Sequence, residues 1–322
     1  MKSGKTTPII TVCLVFFLSG LCAGAQQMDW VKSMAAARAA RQRGEYANAV
    51  ALYKSALAIQ EKTLGPDHVE VATSLNNLAV LYQEEYMYTQ AEPLYRRSLA
   101  IWEKYPGTDA QLVTSLNNLA TLYRDEGKDS EAEPLYNRAL AIWEKTGQSE
   151  SPEAATALSS LGDIYRSQDK YGEAEPLYNR ALAIWEKTGQ SESPEAITML
   201  NNLAGIYRSQ GKYAEAEPLV TKVLAFKEKA LGPEHLEVAT VASYLALLYN
   251  CDGKYDEAEP LYRRALQIRE KNLGSEHPDV VQSLEIYAAL LREEGRKTEA
   301  QKIEARAGKI EANTPHKTAP IS

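Results

Sequence analysis

Five arginines recur at one position of a long sequence period, and their side chains have clear binding chemistry. They are Arg41, Arg124, Arg166, Arg208 and Arg292. A guanidinium group is permanently charged and offers its N–H donors in a planar fork that matches a carboxylate. This arginine column therefore predicts a surface for an acidic ligand or a C-terminal carboxylate. The alternative is that each arginine pairs with a nearby glutamate of the chain itself, an interaction that stabilises little.

Three pairs of asparagines follow the same period. They are Asn76, Asn77, Asn117, Asn118, Asn201 and Asn202. The arginine position lies seven residues after the first asparagine position, which is about two turns of a helix, so the two columns share one helix face. A carboxamide both donates and accepts hydrogen bonds. One interpretation is that these amides bond between neighbouring repeats and set the angle at which the repeats stack.

The residues give no support for catalysis. His68, His235 and His277 occupy one repeated position between units, which indicates a structural role. We find no histidine pair at metal-binding spacing, no glycine-rich phosphate loop and no Ser-His-Asp set. The sequence therefore predicts no enzyme activity, no metal and no cofactor.

Composition and charge narrow the function further. The chain of 322 residues has 36 basic and 43 acidic side chains, a net charge of −7. Nucleic-acid binding favours a basic surface, so a nucleic-acid partner is not expected.

The first 25 residues have the features of a signal peptide. Lys2 and Lys5 precede an apolar stretch at 9–22, which is short for a membrane span, and Ala23-Gly24-Ala25 fits a cleavage site. We expect cleavage before Gln26 and export to the periplasm or medium, with no membrane span left. Lipidation at Cys22 is less favoured because Leu21 is large, and an uncleaved anchor is a further alternative. At the other end, the polar residues 313–322 are expected to be disordered.

The columns above depend on a repeated unit of about 42 residues. Ala-Glu-Pro recurs with its proline at 93, 134, 176, 218 and 260, and the segment Glu131–Ala154 is repeated without change at Glu173–Ala196. Each unit holds two helical patterns, exemplified by Val71–Glu85 and Glu131–Lys145, commonly separated by Gly-Lys. A single helix pair cannot bury its apolar face, whereas stacked pairs can. Residues 26–312 are therefore predicted to form an all-α solenoid of seven units.

These residues resemble the tetratricopeptide repeat, in the 42-residue form of kinesin light chains and many bacterial proteins. The segments that carry the resemblance are Ser74–Lys104, Met199–Leu219 and Gly253–Val280. The resemblance implies a right-handed superhelical solenoid of about seven antiparallel helix pairs, whose concave groove is lined by the first helix of each pair. It also implies binding of peptides or partner proteins, with the second asparagine of a pair bonding to the ligand backbone. The asparagine pattern is interrupted in units four, six and seven, so this ligand role is strongest in units two, three and five.

The function predicted from these observations is a monomeric protein–protein interaction scaffold in the bacterial envelope or medium. One alternative is a self-associating structural spacer, in which Trp102, Trp143 and Trp185 would be buried between copies; an enzyme is disfavoured. These tryptophans share a repeat position with Gln60, Lys227 and Arg269, and a position that accepts both residue types is expected to be half exposed. Packing of the rings on the loop between units is the favoured interpretation, and an exposed aromatic stripe for a partner is the alternative.

Overall fold

The structure is a computed structural model that describes residues 29–313. This part of the chain contains fourteen α-helices and no strand. The helices are residues 29–42 (α1), Tyr46–Leu64 (α2), Val69–Glu84 (α3), Tyr88–Trp102 (α4), Asp109–Asp125 (α5), Asp129–Thr146 (α6), Pro152–Ser167 (α7), Tyr171–Lys187 (α8), Pro194–Ser209 (α9), Tyr213–Leu231 (α10), Leu236–Cys251 (α11), Tyr255–Leu273 (α12), Pro278–Glu293 (α13) and Lys297–Asn313 (α14). The signal peptide predicted at 1–25 lies outside the described residues, as does the tail predicted at 313–322 apart from Asn313, which ends α14.

The chain divides into two compact units, residues 1–164 and 165–322. In the first unit, each helix from α2 to α6 packs on the next along the chain. In the second, the same holds from α8 to α14. The helices of a pair are joined by three residues at 85–87, 210–212 and 252–254, so they run antiparallel. The predicted all-α class and its stacked helix pairs are thus confirmed.

Helix α3 shows how the repeat pattern becomes a core. Its residues Val71, Leu75, Leu78, Ala79 and Tyr82 lie on one face and are all buried, as the spacing predicted. Burial of such a side chain stabilises the fold by about 1.5–3 kcal/mol. The apolar face of each first helix is therefore what holds neighbouring helices together.

The histidines and serines between units cap the helices that follow. The Nδ1 atoms of His68, His235 and His277 each accept a hydrogen bond from the backbone N–H two residues later, at 3.1–3.2 Å. The hydroxyls of Ser151 and Ser193 accept from the N–H three residues later, each at 3.1 Å. These bonds satisfy backbone donors that a helix start leaves unpaired. The structural role predicted for the histidines is what the geometry shows.

The turn within a pair has a glycine in the left-handed region in most repeats. Gly127 and Gly211 both have φ of 72°, which a residue without Cβ adopts at little cost. In the second repeat the corresponding residue is Tyr86, with φ of 58°. A tyrosine in this backbone conformation is strained. Packing of its ring does not offset the strain, because 80% of its surface is exposed.

The tryptophan position differs from its prediction. Trp102, Trp143 and Trp185 are only 7%, 6% and 2% exposed, so the expectation of half exposure is wrong. Trp102 belongs to a buried cluster with Val71, Ala72, Leu75 and Ile101, the last being its neighbour on α4. These rings are covered by their own chain and are not available for contacts between copies.

Polar residues fit the same interior position because each finds a polar partner there. The buried Gln60 accepts a hydrogen bond from Ser74 at 2.6 Å. The half-buried Arg269 donates to Ser243 and Ser283 at 3.0 and 2.8 Å, and burial lowers its pKa. Long polar side chains can thus be buried where they find hydrogen-bond partners. The presence of polar residues at a repeat position therefore does not show that the position is exposed.

We predict that Trp102→Ala lowers the free energy of unfolding by about 3–5 kcal/mol, because it removes a buried ring and leaves a cavity. Urea unfolding followed by circular dichroism measures the change. Tyr105→Ala is the matched control, since this ring is 40% exposed, and its effect should stay within about 0.5 kcal/mol. Equal stabilities of the two variants would contradict the buried role of Trp102.

Candidate peptide-binding surface

The asparagine pairs of the second and third repeats are brought together across neighbouring first helices. Asn118 on α5 donates from Nδ2 to Oδ1 of Asn76 on α3, at 2.9 Å. This is the bond between repeats that was one of the two interpretations of the column. Asn77 lies on α3 and Asn201 and Asn202 lie on α9 of the second unit, all half-buried. No contact with a ligand tests the other interpretation, so a ligand role for these amides stays a prediction.

A pocket of about 630 Å³ lies beside this asparagine bridge in the first unit. Its walls are one face of α5 and the connection that leads from α6 into α7. Asn117, Asn118, Trp143, Ser151 and Glu153 are among its lining residues. The Oδ1 atom of Asn117 is buried and has no hydrogen-bond donor among residues 29–313. A buried acceptor without a donor is costly, so this side of the pocket favours a group that donates a hydrogen bond.

The arginine column is paired with glutamates of the chain at two of its five positions. Arg41 forms a two-bond pair with Glu84, in which its Nε donates at 3.0 Å. Arg292 forms a similar pair with Glu304, at 2.5 and 2.6 Å. At these two positions the arginine therefore pairs with a glutamate of the chain itself, which was the alternative to ligand binding.

The three central arginines have other surroundings. Arg124 donates to the hydroxyl of Ser160 at 2.6 Å and lies 3.4 Å from a carboxylate oxygen of Asp125. The Arg208 guanidinium lies over the ring of Tyr244, 5.5 Å from its centre. Arg166 is exposed on α7. A carboxylate-binding role for Arg124, Arg166 and Arg208 stays a prediction.

The glutamate of Ala-Glu-Pro links one repeat to the next within each compact unit, as at Glu92, Glu175, Glu217 and Glu259. Glu92 accepts a hydrogen bond from the hydroxyl of Tyr123 at 3.0 Å and lies 3.6 Å from the ammonium of Lys128. Burial, and then the bond to Glu92, raises the pKa of Tyr123 to about 12, so its hydroxyl remains a donor at neutral pH. We call this glutamate with its two partners the inter-repeat clamp.

The inter-repeat clamp recurs in the second unit. Glu217 accepts from Tyr249 at 2.9 Å and from Lys254 at 3.2 Å. The clamp gives the glutamate of Ala-Glu-Pro a role that the sequence alone did not assign. The recurrence of this motif every 42 residues was the signal that could have revealed it.

The last clamp has an arginine in place of the lysine. Glu259 accepts from Arg296 at 2.8 Å and from Tyr287 at 2.6 Å. Hydrogen bonding from Arg296, and then from Tyr287, lowers the pKa of Glu259 to about 2 against the opposing effect of burial.

A second pocket in the first unit was not foreseen from the sequence. It has a volume of about 600 Å³ and is lined by Tyr46, Val80, Gln83, Glu84, Tyr86, Tyr88, Tyr95, Asn118, Thr121 and Asp125. We call it the tyrosine pocket. The replacement of the turn glycine by Tyr86 was the signal that could have revealed it.

Two further features bear on function. Within residues 29–313, no helix combines the length and apolar character that crossing a bilayer requires. Over the same range, no three His, Cys, Asp or Glu side chains are grouped so that they could hold a metal ion.

Comparison with known proteins settles the family. The tetratricopeptide repeat model matches in six overlapping segments, residues 31–104, 87–145, 111–187, 153–229, 195–270 and 237–309. The chain belongs to the tetratricopeptide repeat family. A search of curated proteins gives no significant match.

Solved structures of similar tetratricopeptide repeat proteins support the kinesin-light-chain-like type. A putative kinesin light chain with nearly identical repeats from Podosopora anserina is 30% identical with a TM-score of 0.55, over 65% of this chain and 99% of that one. BtubC (BKLC) from P. vanneervenii is 26% identical with a TM-score of 0.53, over 74% of this chain and 95% of that one.

A third comparison shows the fold alone. The signal transduction ATPase with a tetratricopeptide repeat sensor from Pyrococcus horikoshii is 18% identical with a TM-score of 0.66, over 89% of this chain and 42% of that one. The structural resemblance inferred from the sequence is therefore confirmed.

We predict that Glu259→Gln lowers stability at pH 7 and that its difference from the wild type shrinks as the pH falls. The folded-state pKa of Glu259, about 2, lies below the usual value of 4.5, so its stabilisation is present above pH 4.5 and is lost as the pH falls toward 2. Urea unfolding at pH 7, 5, 3 and 2 measures it.

Glu285→Gln is the control for this test, because Glu285 is exposed on the neighbouring helix α13. It should leave the stability at pH 7 unchanged. A difference between Glu259→Gln and the wild type that stays constant from pH 7 to pH 2 would contradict the clamp at Glu259.

Proposed function

We propose that this tetratricopeptide repeat protein is an interaction scaffold that binds a peptide segment of a partner protein along the first helices of its repeats. The observation that supports this most is the pocket beside Asn117 and Asn118, two half-buried carboxamides on the first helix α5. The Oδ1 atom of Asn117 is covered and lacks a donor within the described part of the chain, so rotation of its side chain toward the pocket would let it accept from the backbone N–H of an extended peptide. The lining also includes the largely buried Trp143 and Val113 and the exposed Ala110, which together offer a small apolar contact.

The partner segment is proposed to carry acidic groups or a C-terminal carboxylate. Arg124, Arg166 and Arg208 recur on successive first helices α5, α7 and α9, and guanidinium groups bind carboxylates through paired hydrogen bonds. Three hydrogen bonds at about 1 kcal/mol each do not exceed the association cost of at least ~4 kcal/mol. Apolar contacts must therefore contribute, and we expect an affinity near micromolar.

We propose a monomer without enzyme activity. The alternative of a self-associating spacer relied on exposed tryptophans, and Trp102, Trp143 and Trp185 are instead buried in the chain. A sedimentation coefficient that rises over a range of protein concentrations would contradict the monomer. Turnover in a hydrolase screen that a point substitution abolishes would contradict the absence of activity.

The binding proposal predicts that changing Arg124, Arg166 and Arg208 together to Ala weakens peptide capture by at least about tenfold, since three charged contacts are lost. Peptides selected from a random display library on the wild type serve as the probe, and fluorescence polarisation gives their affinities.

The matched control changes Lys62, Lys145 and Lys222 to Ala, three exposed cations on the second helices α2, α6 and α10. It removes the same charge from another surface and should leave capture unchanged. Equal affinity of the two triple variants would overturn the role of the arginine column, and failure to select any peptide would overturn the scaffold proposal itself.

We further propose that the protein is exported to the periplasm or medium after cleavage of residues 1–25, on the basis of Lys2, Lys5, the apolar stretch at 9–22 and Ala23-Gly24-Ala25. Expression of the full chain in a bacterium, followed by fractionation and intact mass measurement, is expected to give a chain that begins at Gln26 outside the cytoplasm. A chain retaining Met1 in the cytoplasm would contradict export, and a lipid-sized mass increase on a chain beginning at Cys22 would favour lipidation.

A further inference from the structure

We propose that the tyrosine pocket binds a lysine or arginine side chain of a basic peptide. The site has the opposite charge preference from the arginine column, and its two carboxylates, Glu84 and Asp125, contact Arg41 and Arg124 of that column. Four tyrosines line it, and its two charged lining residues are both acidic, Glu84 and Asp125. A ring face attracts a cation through its quadrupole, and a nearby carboxylate adds to that attraction.

The aromatic walls come from the starts of two second helices and the turn between them. Tyr46 begins α2 and Tyr88 begins α4. The rings of Tyr86 and Tyr88 are 6.2 Å apart between centres and cross at 69°, so they form two walls of a corner. Tyr95 closes the inner side, where its buried ring donates through its hydroxyl to Gln83 at 2.9 Å.

Tyr86 carries the inference because nothing within the fold accounts for it. It occupies the turn position at which five other repeats have glycine, at 44, 127, 211, 253 and 295, while the remaining repeat has Asp169 with the same φ of 58°. It adopts a left-handed backbone conformation that disfavours a side chain, and its ring is 80% exposed. The adjacent Met87 is also 43% exposed. A strained backbone that presents an exposed ring is typical of a functional contact, because neither feature stabilises the chain.

The charge at the pocket selects a cation. Asp125 accepts a hydrogen bond from Gln83 at 2.8 Å, which orients its carboxylate, while its distance from the Arg124 guanidinium is longer, at 3.4 Å. Glu84 is paired with Arg41, so Asp125 is the principal counter-ion. Burial, followed by the charge of Asp125, raises the pKa of Tyr88, which agrees with a negative potential at its ring. No basic side chain is among the lining residues.

Asn118 lines both the tyrosine pocket and the pocket beside Asn117. The two pockets therefore adjoin along α5, and one extended peptide can contact both. Arg41 and Arg124 contact the carboxylates of the cation site but do not line it, and the test of this site uses different residues and a different probe.

The experiment measures fluorescence polarisation of two labelled peptides on the full chain, one of alternating glycine and arginine and one in which glutamine replaces each arginine. We expect the arginine peptide to bind and the glutamine peptide to bind at least about fivefold more weakly, because only the first carries cations. Equal binding of the two peptides would overturn the proposal.

Variants at the pocket identify the site. Tyr86→Gly restores the residue of five other repeats, so the fold should be retained while the affinity for the arginine peptide falls at least about fivefold. Tyr86→Phe keeps the ring and should retain the affinity. Tyr105→Ala removes an exposed ring elsewhere in the first unit and should have no effect. Unchanged affinity of Tyr86→Gly would overturn the proposal.

A charge-matched pair separates the pocket from general attraction to an acidic chain. Asp125→Asn should weaken binding at least about fivefold, while keeping an oxygen that accepts from Gln83. Glu85→Gln removes the same charge from an exposed residue that does not line the pocket, and it should leave binding unchanged. Equal losses in the two variants would show that only the net charge attracts the peptide. The triple arginine variant removes Arg124 from beside Asp125 and should bind the arginine peptide at least as tightly as the wild type, so failure of this site is distinguishable from failure of the arginine column.

Discussion

The structure depends on the burial of apolar helix faces that a single helix pair cannot cover. Leu75, Leu116 and Leu158 are fully buried at the same point of successive first helices, and each relies on neighbouring helices to exclude water. Burial of this kind is non-directional and proportional to area, so it tolerates a repeated unit as long as each copy presents the same face. Two identical copies of a 24-residue segment can therefore stand in one chain without conflict.

Polar contacts fix the orientation of neighbouring repeats, which apolar burial alone does not. The inter-repeat clamp joins a glutamate of one second helix to a tyrosine and a cation of the following repeat, as in Glu217 with Tyr249 and Lys254. The hydrogen bond from Asn118 to Asn76 likewise joins neighbouring first helices. Each bond contributes about 1 kcal/mol, which is small beside the apolar term, but its direction sets how one repeat is oriented on the next.

The stacking of the repeats does not use every side chain that lies beside it. Asn117 has an unsatisfied oxygen beside one pocket, and Tyr86 exposes its ring beside another. Both lie in the first unit and adjoin at Asn118. Because the repeats share one backbone plan, a substitution such as a tyrosine for the turn glycine changes the binding surface while leaving the packing of the helices intact.

The sequence alone determined the helices, their pairing and the buried face of each first helix, because the 42-residue period and the helical spacing of apolar residues depend on local geometry. It also indicated the family. Only the tertiary structure decided which polar side chains are used internally. Arg41 and Arg292 are bound to glutamates, whereas Asn117 is not satisfied, and these outcomes depend on distances across repeats that spacing does not encode. The tryptophan position was predicted wrongly for the same physical reason: Arg269 and Gln60 enter the interior because serine hydroxyls 14 or 26 residues away meet them there, and a list of residue types at one position does not contain those partners.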